Sequence, residues 1–318
     1  MTVTIKDIAK SAGVSYSTVS KALRNSSLVK QPTKEKIRAI ALELGYEPNL
    51  AAQVLVSRKT FTIGVVWPSV DREMQAALIT LLNNQLEEEG YTTLISINDI
   101  SRSVKAFQRL QVDAMLIFDD QQHQDTLPKT TIPTVLFGLK ERSQFPVIDV
   151  NRHEAVKKIT EYVIEEGALS ILYAGLTEGE DPLQAAKFEG FLAATSSLQG
   201  ATAVYNTKGL NRLDGYKAMK AILQLGSPPH AIIFGSYDLT VGAIDAIHEL
   251  NITKTNHLRI ASYDNMSGHH ELTFPVLFTG VPLTIIVETL VDKLLQAADG
   301  QPVTSISLDP VIHPSDIL

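Results

Sequence analysis

Tyr16, Ser17, Ser20 and Lys21 recur at the spacing of one helical face near the start of the chain. Short hydroxyls and a long cation at the N-terminal end of a helix suit phosphate oxygens and base edges in the major groove of DNA. Elsewhere the residue types of catalysis are sparse. The 318 residues include no cysteine, which excludes disulfides, thiolate metal ligands and cysteine nucleophiles. No Gly-x-x-x-x-Gly-Lys phosphate loop and no Gly-x-Ser-x-Gly elbow is present. His269-His270 invites a metal reading, but no acidic partner stands at a supporting spacing, so neither a metal nor a cofactor is expected. The run Glu87-Glu88-Glu89 reads as a solvated helix face.

Charge is divided unevenly along the chain. Residues 1–60 hold ten Lys and Arg against four Asp and Glu, a net +6. The whole chain carries −7, so the remainder carries −13. A basic head on an acidic body is the footprint of a nucleic-acid-binding module joined to something else. With 44% apolar residues the composition is that of globular domains. No apolar run approaches the ~20 residues of a membrane span. The first ten residues have no apolar core of a secretory signal, so the expectation is a cytoplasmic protein.

The elements that must carry the Tyr16–Lys21 face follow from local pattern. Thr4-Ile5-Lys6-Asp7 is a capping box, and Ile5, Ile8 and Ala9 share one helical face. Gly13 ends that helix, and Ser15 is placed to cap a second one, whose buried stripe is Val19 and Ala22-Leu23. So short a gap makes the helices cross steeply, as in a helix-turn-helix. A third helix is predicted from about Pro32 to Leu44, stopped by Gly45. Tyr46-Glu47-Pro48-Asn49 then breaks the chain. A short stretch from Leu50 to Val56 precedes Ser57-Arg58-Lys59 and is too short to be a stable helix by itself.

Beyond residue 60 the pattern alternates between strand and helix. Predicted strands are Phe61–Trp67, Thr92–Ile97, Ala114–Phe118 and Thr134–Phe137, with helices Met74–Glu89 and Val104–Leu110. A second round begins after Asn151. Helices end at Glu166 and span Pro182–Thr195, Gly215–Gln224 and Thr240–Leu250, between strands Leu169–Ala174, Ala201–Tyr205, Ala231–Phe234 and Leu258–Tyr263. Two such rounds imply two doubly wound parallel-sheet lobes, with a ligand site beyond the carboxyl ends of the strands, between the lobes. Trp67, ending the first strand, could stack on a sugar ring there or be core. Arg72 follows it and could add positive charge.

Thr4-Ile5-Lys6-Asp7-Ile8-Ala9, Ala12-Gly13-Val14-Ser15, Thr18-Val19-Ser20, Leu44-Gly45-Tyr46 and Pro48-Asn49, in this order and spacing, resemble the lactose-repressor/galactose-repressor family of bacterial transcription regulators. The similarity is nearly unbroken through residues 3–66 and looser to about residue 310. It implies a homodimer setting two heads on a palindromic operator, with a hinge helix over Ala51–Ser57 in the minor groove and Leu55 as a wedge. Such a wedge unstacks a base step and bends the duplex. The bland alternative for Leu55 is packing against the body. The DNA-binding residues so implied are Thr4, Ser15, Tyr16, Ser17, Thr18, Ser20, Lys21, Arg24, Asn25, Asn49, Ala52, Gln53 and Leu55. Lys21 and Gln53 stand where the family often has arginine, and Lys30 where it has a capping serine, so the third helix is expected to start a residue or two late.

The resemblance also implies a body similar to periplasmic sugar-binding proteins. Lys187-Phe188-Glu189-Gly190-Phe191 resembles the family's Arg-x-x-Gly-Phe, whose arginine binds the effector. Ala261-Ser262-Tyr263-Asp264-Asn265 resembles Gly-Phe/Tyr-Asp-Asp and makes Asp264 the candidate hydroxyl-binding carboxylate. Tyr237-Asp238 lies near the family's Asn-Asp in an uncertain register. Gly138 replaces a frequent aspartate and Ala168 a histidine. The effector-binding set is therefore Trp67, Arg72, Lys187, Tyr237, Asp238 and Asp264. For Asp264 the alternative is a turn cap, and for Lys187 a solvated helix lysine.

The expected architecture is an all-α helix-turn-helix head (1–47), a hinge helix (48–59) and an α/β effector and dimerisation domain (60–318). Its N-lobe is about 60–149 and 279–306, its C-lobe about 150–278 and 307–318. No leucine-heptad tail follows the last lobe, so a dimer rather than a tetramer is expected. The implied function is a transcription regulator, a repressor by preference, controlled by a sugar, sugar phosphate or sugar acid. An α/β enzyme or a carbohydrate-binding protein without a DNA role would leave the basic head unexplained.

Overall fold

The computed structural model describes residues 3–23, 26, 28–46, 59–67, 69–118, 129–138, 144–179, 181–196, 198, 200–224, 228–251, 258–266 and 272–314. The chain divides into two compact units, Met1–Thr60 and Phe61–Leu318.

The first unit contains α1 (Ile5–Ala12), α2 (Tyr16–Leu23) and α3 (Gln31–Glu43). The capping box forms: the Asp7 carboxylate accepts the Thr4 N–H at 2.8 Å and the Thr4 hydroxyl at 2.7 Å. Gly13 closes α1 in the left-handed conformation (φ 71°), where an L side chain would be strained. Ser15 caps α2, its Oγ accepting the Thr18 N–H at 3.1 Å. Ile8, Ala12, Val19, Ala22, Val29, Ile37 and Ala41 form the core. The late start expected for α3 is corrected. The helix begins at Gln31, directly after Lys30, because Pro32 lies in the first turn with φ already preset and gives up no needed N–H.

The second unit holds two six-stranded sheets. The first contains β1 (Thr62–Val66), β2 (Thr92–Ser96), β3 (Ala114–Phe118), β4 (Thr134–Phe137), β5 (Val147–Asp149) and β11 (Ile306–Ser307), in the order β11-β5-β4-β3-β1-β2. The second contains β6 (Ser170–Gly175), β7 (Ala201–Asn206), β8 (Ala231–Phe234), β9 (Arg259–Tyr263), β10 (Val276–Gly280) and β12 (Val311–Pro314), in the order β12-β10-β9-β8-β6-β7. Pairing is parallel except at β10–β12. Helices α4 (Glu73–Glu88) and α5 (Ile100–Leu110) serve the first sheet. Helices α6 (Arg152–Glu165), α7 (Pro182–Thr195), α8 (Arg212–Leu223) and α9 (Tyr237–Glu249) serve the second. After β10 the chain returns, and α10 (Leu283–Ala298) packs on α4, β3 and β4.

The chain thus passes between lobes three times, at 149–152, 280–283 and 307–311. Two lobe boundaries shift from expectation: β10 keeps residues to Gly280 in the second sheet, and Ser307 belongs to the first. Sheet edges decide this. Among the described residues β11 pairs with β5 alone, over two residues, a pattern too short to read locally.

Candidate functional site

In the first unit the described side chains singled out for DNA lie on α2 and its cap, apart from Thr4, which caps α1. Tyr16 is 55% exposed, and Ser15, Ser17 and Lys21 are exposed beside it, while Thr18 and Ser20 are half-buried. The Ser15 hydroxyl is within 2.9 Å of the Ser17 hydroxyl and 2.8 Å of the Thr18 hydroxyl. That chain of hydroxyls fixes the start of α2, leaving Tyr16 and Lys21 outside the packing that holds Val19 and Ala22. Arg24, Asn25, Asn49, Ala52, Gln53 and Leu55, with the hinge as a whole, lie outside the described residues. So do His269 and His270.

In the second unit a cavity of about 170 Å³ opens between the lobes at the carboxyl ends of the strands. Its wall takes Arg72, Gln75, Phe118 and Phe137 from the first lobe and Asp181, Lys187, Tyr263 and Asp264 from the second. Val150, Arg152, Gly280 and Val281 come from the crossings. Aromatic and aliphatic walls with a few convergent charges are the usual make-up of a small-molecule site.

Two helix N-termini meet beside this cavity. Arg72 is the N-cap residue of α4, and Asp238 lies in the first turn of α9. Asp238 reaches across the lobes, accepting the Glu73 N–H at 3.1 Å on Oδ1, so a carboxylate of one lobe caps a helix of the other. The Arg72 guanidinium stands between two carboxylates, with Nε 3.5 Å from Asp238 Oδ2 and one Nη 3.6 Å from Asp264 Oδ2. Among the described residues these two nitrogens and Asp238 Oδ2 are buried with no hydrogen bond. Burial holds the Asp238 carboxyl above the usual carboxylate range, against the opposing Glu73 N–H and Arg72 charge.

The Asp264 Oδ2 accepts the Tyr237 N–H at 3.3 Å, at the start of α9, and the Asp264 backbone is left-handed (φ 74°). Few residues other than glycine adopt that conformation, aspartate and asparagine more readily than most.

Lys187 is not a solvated helix lysine. It is 3% exposed, and its Nζ donates to the Gly235 carbonyl at 2.8 Å and Gln184 Oε1 at 3.1 Å, 4.0 Å from the centre of the Tyr263 ring. Burial pushes its pKa down to about 7. Asp264 opposes the shift, while the Arg72 and Arg152 charges add to it.

Three expectations are corrected. Trp67 is fully buried and is not on the wall. It packs behind Phe118 and Phe137, with centroids 4.8 and 6.0 Å away, and these two rings face the cavity instead. Tyr237 and Asp238 likewise stand off the wall, Asp238 acting through Arg72 and α4. Arg152 is a wall residue that the sequence reading leaves out. It is 6% exposed, donates from Nη1 to the Gly138 carbonyl at 3.3 Å and Asp149 Oδ1 at 3.4 Å, and lines the cavity. The available signal is a cation at the point where Asn151 restarts the strand–helix pattern.

A family model described as bacterial regulatory proteins of the lacI family matches residues 4–49. A probable HTH-type transcriptional repressor, ExuR, of Bacillus subtilis (strain 168) is 28% identical over 285 residues, 85% of this chain and 84% of that protein. The crystal structure of the Lac repressor dimer bound to operator and the anti-inducer ONPF aligns at TM-score 0.73 and 22% identity, covering 100% of both chains. The Cra transcriptional dual regulator of Pseudomonas putida, in complex with fructose 1-phosphate, aligns at TM-score 0.63 and 19% identity over 80% of this chain and 98% of that one. Head, relative and full-length fold agree: residues 4–49 match the lacI family of bacterial regulatory proteins, and the chain as a whole shares the fold of the Lac repressor.

Proposed function

We propose that this regulator is a repressor that binds a two-fold operator as a homodimer. Its effector, in this reading, is a polyhydroxylated small molecule bearing an anionic group, held between the lobes. The observation that carries the effector is the cavity wall. Arg72, Arg152 and Lys187 face it against Asp181 and Asp264, with Phe118 and Phe137 offering apolar rings. A fixed carboxylate such as Asp264 accepts hydroxyl protons through charge-assisted bonds, and an excess of cations suits a phosphate or carboxylate. The binding of fructose 1-phosphate by the Cra regulator supports the same class.

On DNA, Tyr16 and Ser17 read base edges, while Ser15, Thr18, Ser20 and Lys21 hold phosphates, with Arg24 and Asn25 beyond them. Asn49, Ala52, Gln53 and Leu55 act in the minor groove. The exposed start of α2 and the +6 charge of residues 1–60 support this assignment. The effector acts by favouring one relative orientation of the lobes. A coupling of about 1–3 kcal/mol changes DNA affinity about 5–150-fold, enough for a switch. Gel shifts with genomic fragments, repeated over sugars, sugar phosphates and sugar acids, test the reading. DNA release by an anionic sugar is the expected result; no operator binding, or control by an apolar molecule or a purine base, would refute it.

A further inference from the structure

Resting on that effector reading, we infer that Arg152 recognises the anionic group, and that Lys187 is a positioning residue that builds the wall behind it. The Lys187 ammonium has three protons. The Gly235 carbonyl and Gln184 Oε1 accept two of them, and the face of the Tyr263 ring lies 4.0 Å away for the third. No donor remains for a ligand. Burial also pushes its pKa down to about 7, so near neutrality it carries its charge only part of the time.

Arg72 is already compensated, standing between Asp238 and Asp264. Arg152 is different. Asp149, at 3.4 Å, is the carboxylate within ion-pair reach of its guanidinium among the described residues. Nη1 alone donates to described residues, through two long bonds to Gly138 and Asp149. Gly138 offers only its carbonyl, so no side chain there competes for the guanidinium. The Phe137 ring lies 5.9 Å from the guanidinium carbon and supports it from one side. A planar fork on the cavity wall matches the paired oxygens of a carboxylate or phosphate. A neutral sugar would leave that fork desolvated and without an acceptor, so the site discriminates for charge. The place in the fold is apt: Arg152 begins α6 in the second lobe while bonding Gly138 and Asp149 of the first, so the anion is read at the crossing itself.

The test uses the full chain and calorimetry with fructose 1-phosphate, glucose 6-phosphate and glucuronate, each beside its neutral parent, and with inorganic sulfate. The wild type should prefer an anionic probe by about tenfold or more, the scale of one charge-assisted hydrogen bond. Arg152→Gln should abolish that preference and the sulfate response, and Arg152→Lys should restore part of both. Lys187→Met should weaken anionic and neutral probes alike, leaving their ratio unchanged. If Arg152→Gln keeps the preference, or Lys187→Met removes it, the inference falls while the effector reading stands. If the wild type responds to no anionic probe and not to sulfate, the effector reading falls and the inference with it. Should Lys187→Met not fold, the Arg152→Gln ratio decides alone.

Discussion

Lys187 makes the stability of this protein depend on alkaline pH in a calculable way. In the unfolded chain a lysine titrates near its ordinary 10.5, whereas burial in the folded chain brings Lys187 down to about 7. Between these values the unfolded state holds a proton that the folded state has released, so stability rises with pH, by up to about 1.4 kcal/mol per unit. Integrated from pH 6 to pH 9, the rise is on the order of a few kcal/mol. Lys187→Met keeps most of the volume and removes the titration. It also leaves the Gly235 carbonyl and Gln184 without their donor, at about 1 kcal/mol for each hydrogen bond removed. Relative to the variant, the wild type should therefore gain on the order of a few kcal/mol between pH 6 and pH 9. Urea unfolding at pH 6, 7, 8 and 9 measures the difference. Parallel curves would refute the reasoning, because they would mean that the two oxygens, the Tyr263 ring and Asp264 hold the ammonium charged throughout.

Four further outcomes are expected. Gly242→Ala would place a methyl 1.8 Å from the Arg212 carbonyl oxygen, forcing α8 and α9 apart; urea unfolding should show a loss of about 1–3 kcal/mol. Asp238→Ala removes the cap on α4 and should destabilise by about 1 kcal/mol. Because burial raises this carboxyl, the wild type's advantage over that variant should be largest at acid pH and shrink as pH rises through the folded-state pKa, which unfolding at pH 4 to 7 checks. Lys21→Ala should lower the slope of log affinity against log salt by about 0.9 for each phosphate that the lysine neutralises, with an unchanged consensus. Tyr16→Ala should instead change the preferred base, by about 1–3 kcal/mol, in a binding-site selection.

The head was legible because its signals are local. Gly13 needs a left-handed backbone, Ser15 caps the helix that begins beside it, and Ile8, Val19, Ala22 and Ile37 bury where helical spacing puts them. The strand–helix alternation of the body was legible for the same reason, as was Asp264 near the carboxyl end of its strand. The last crossings were not, since two residues of β11 carry no periodicity and gain meaning only from pairing with β5.

The sequence by itself determined a basic helix-turn-helix head, an acidic two-lobed body and the cleft as the place to look. What it could not determine was which charges face the cleft and which are already matched, because those pairings join residues far apart in the chain. Asp238 caps a helix 165 residues away, and Lys187 is bound to a carbonyl 48 residues away. Trp67 sits one layer behind rings contributed by other strands. Arg152 reaches the wall only once the two sheets are side by side and the chain has crossed between them. Backbone conformation is set within a few residues, whereas desolvation and charge pairing are set by whatever the fold brings near, so tertiary structure alone decided the chemistry of the site.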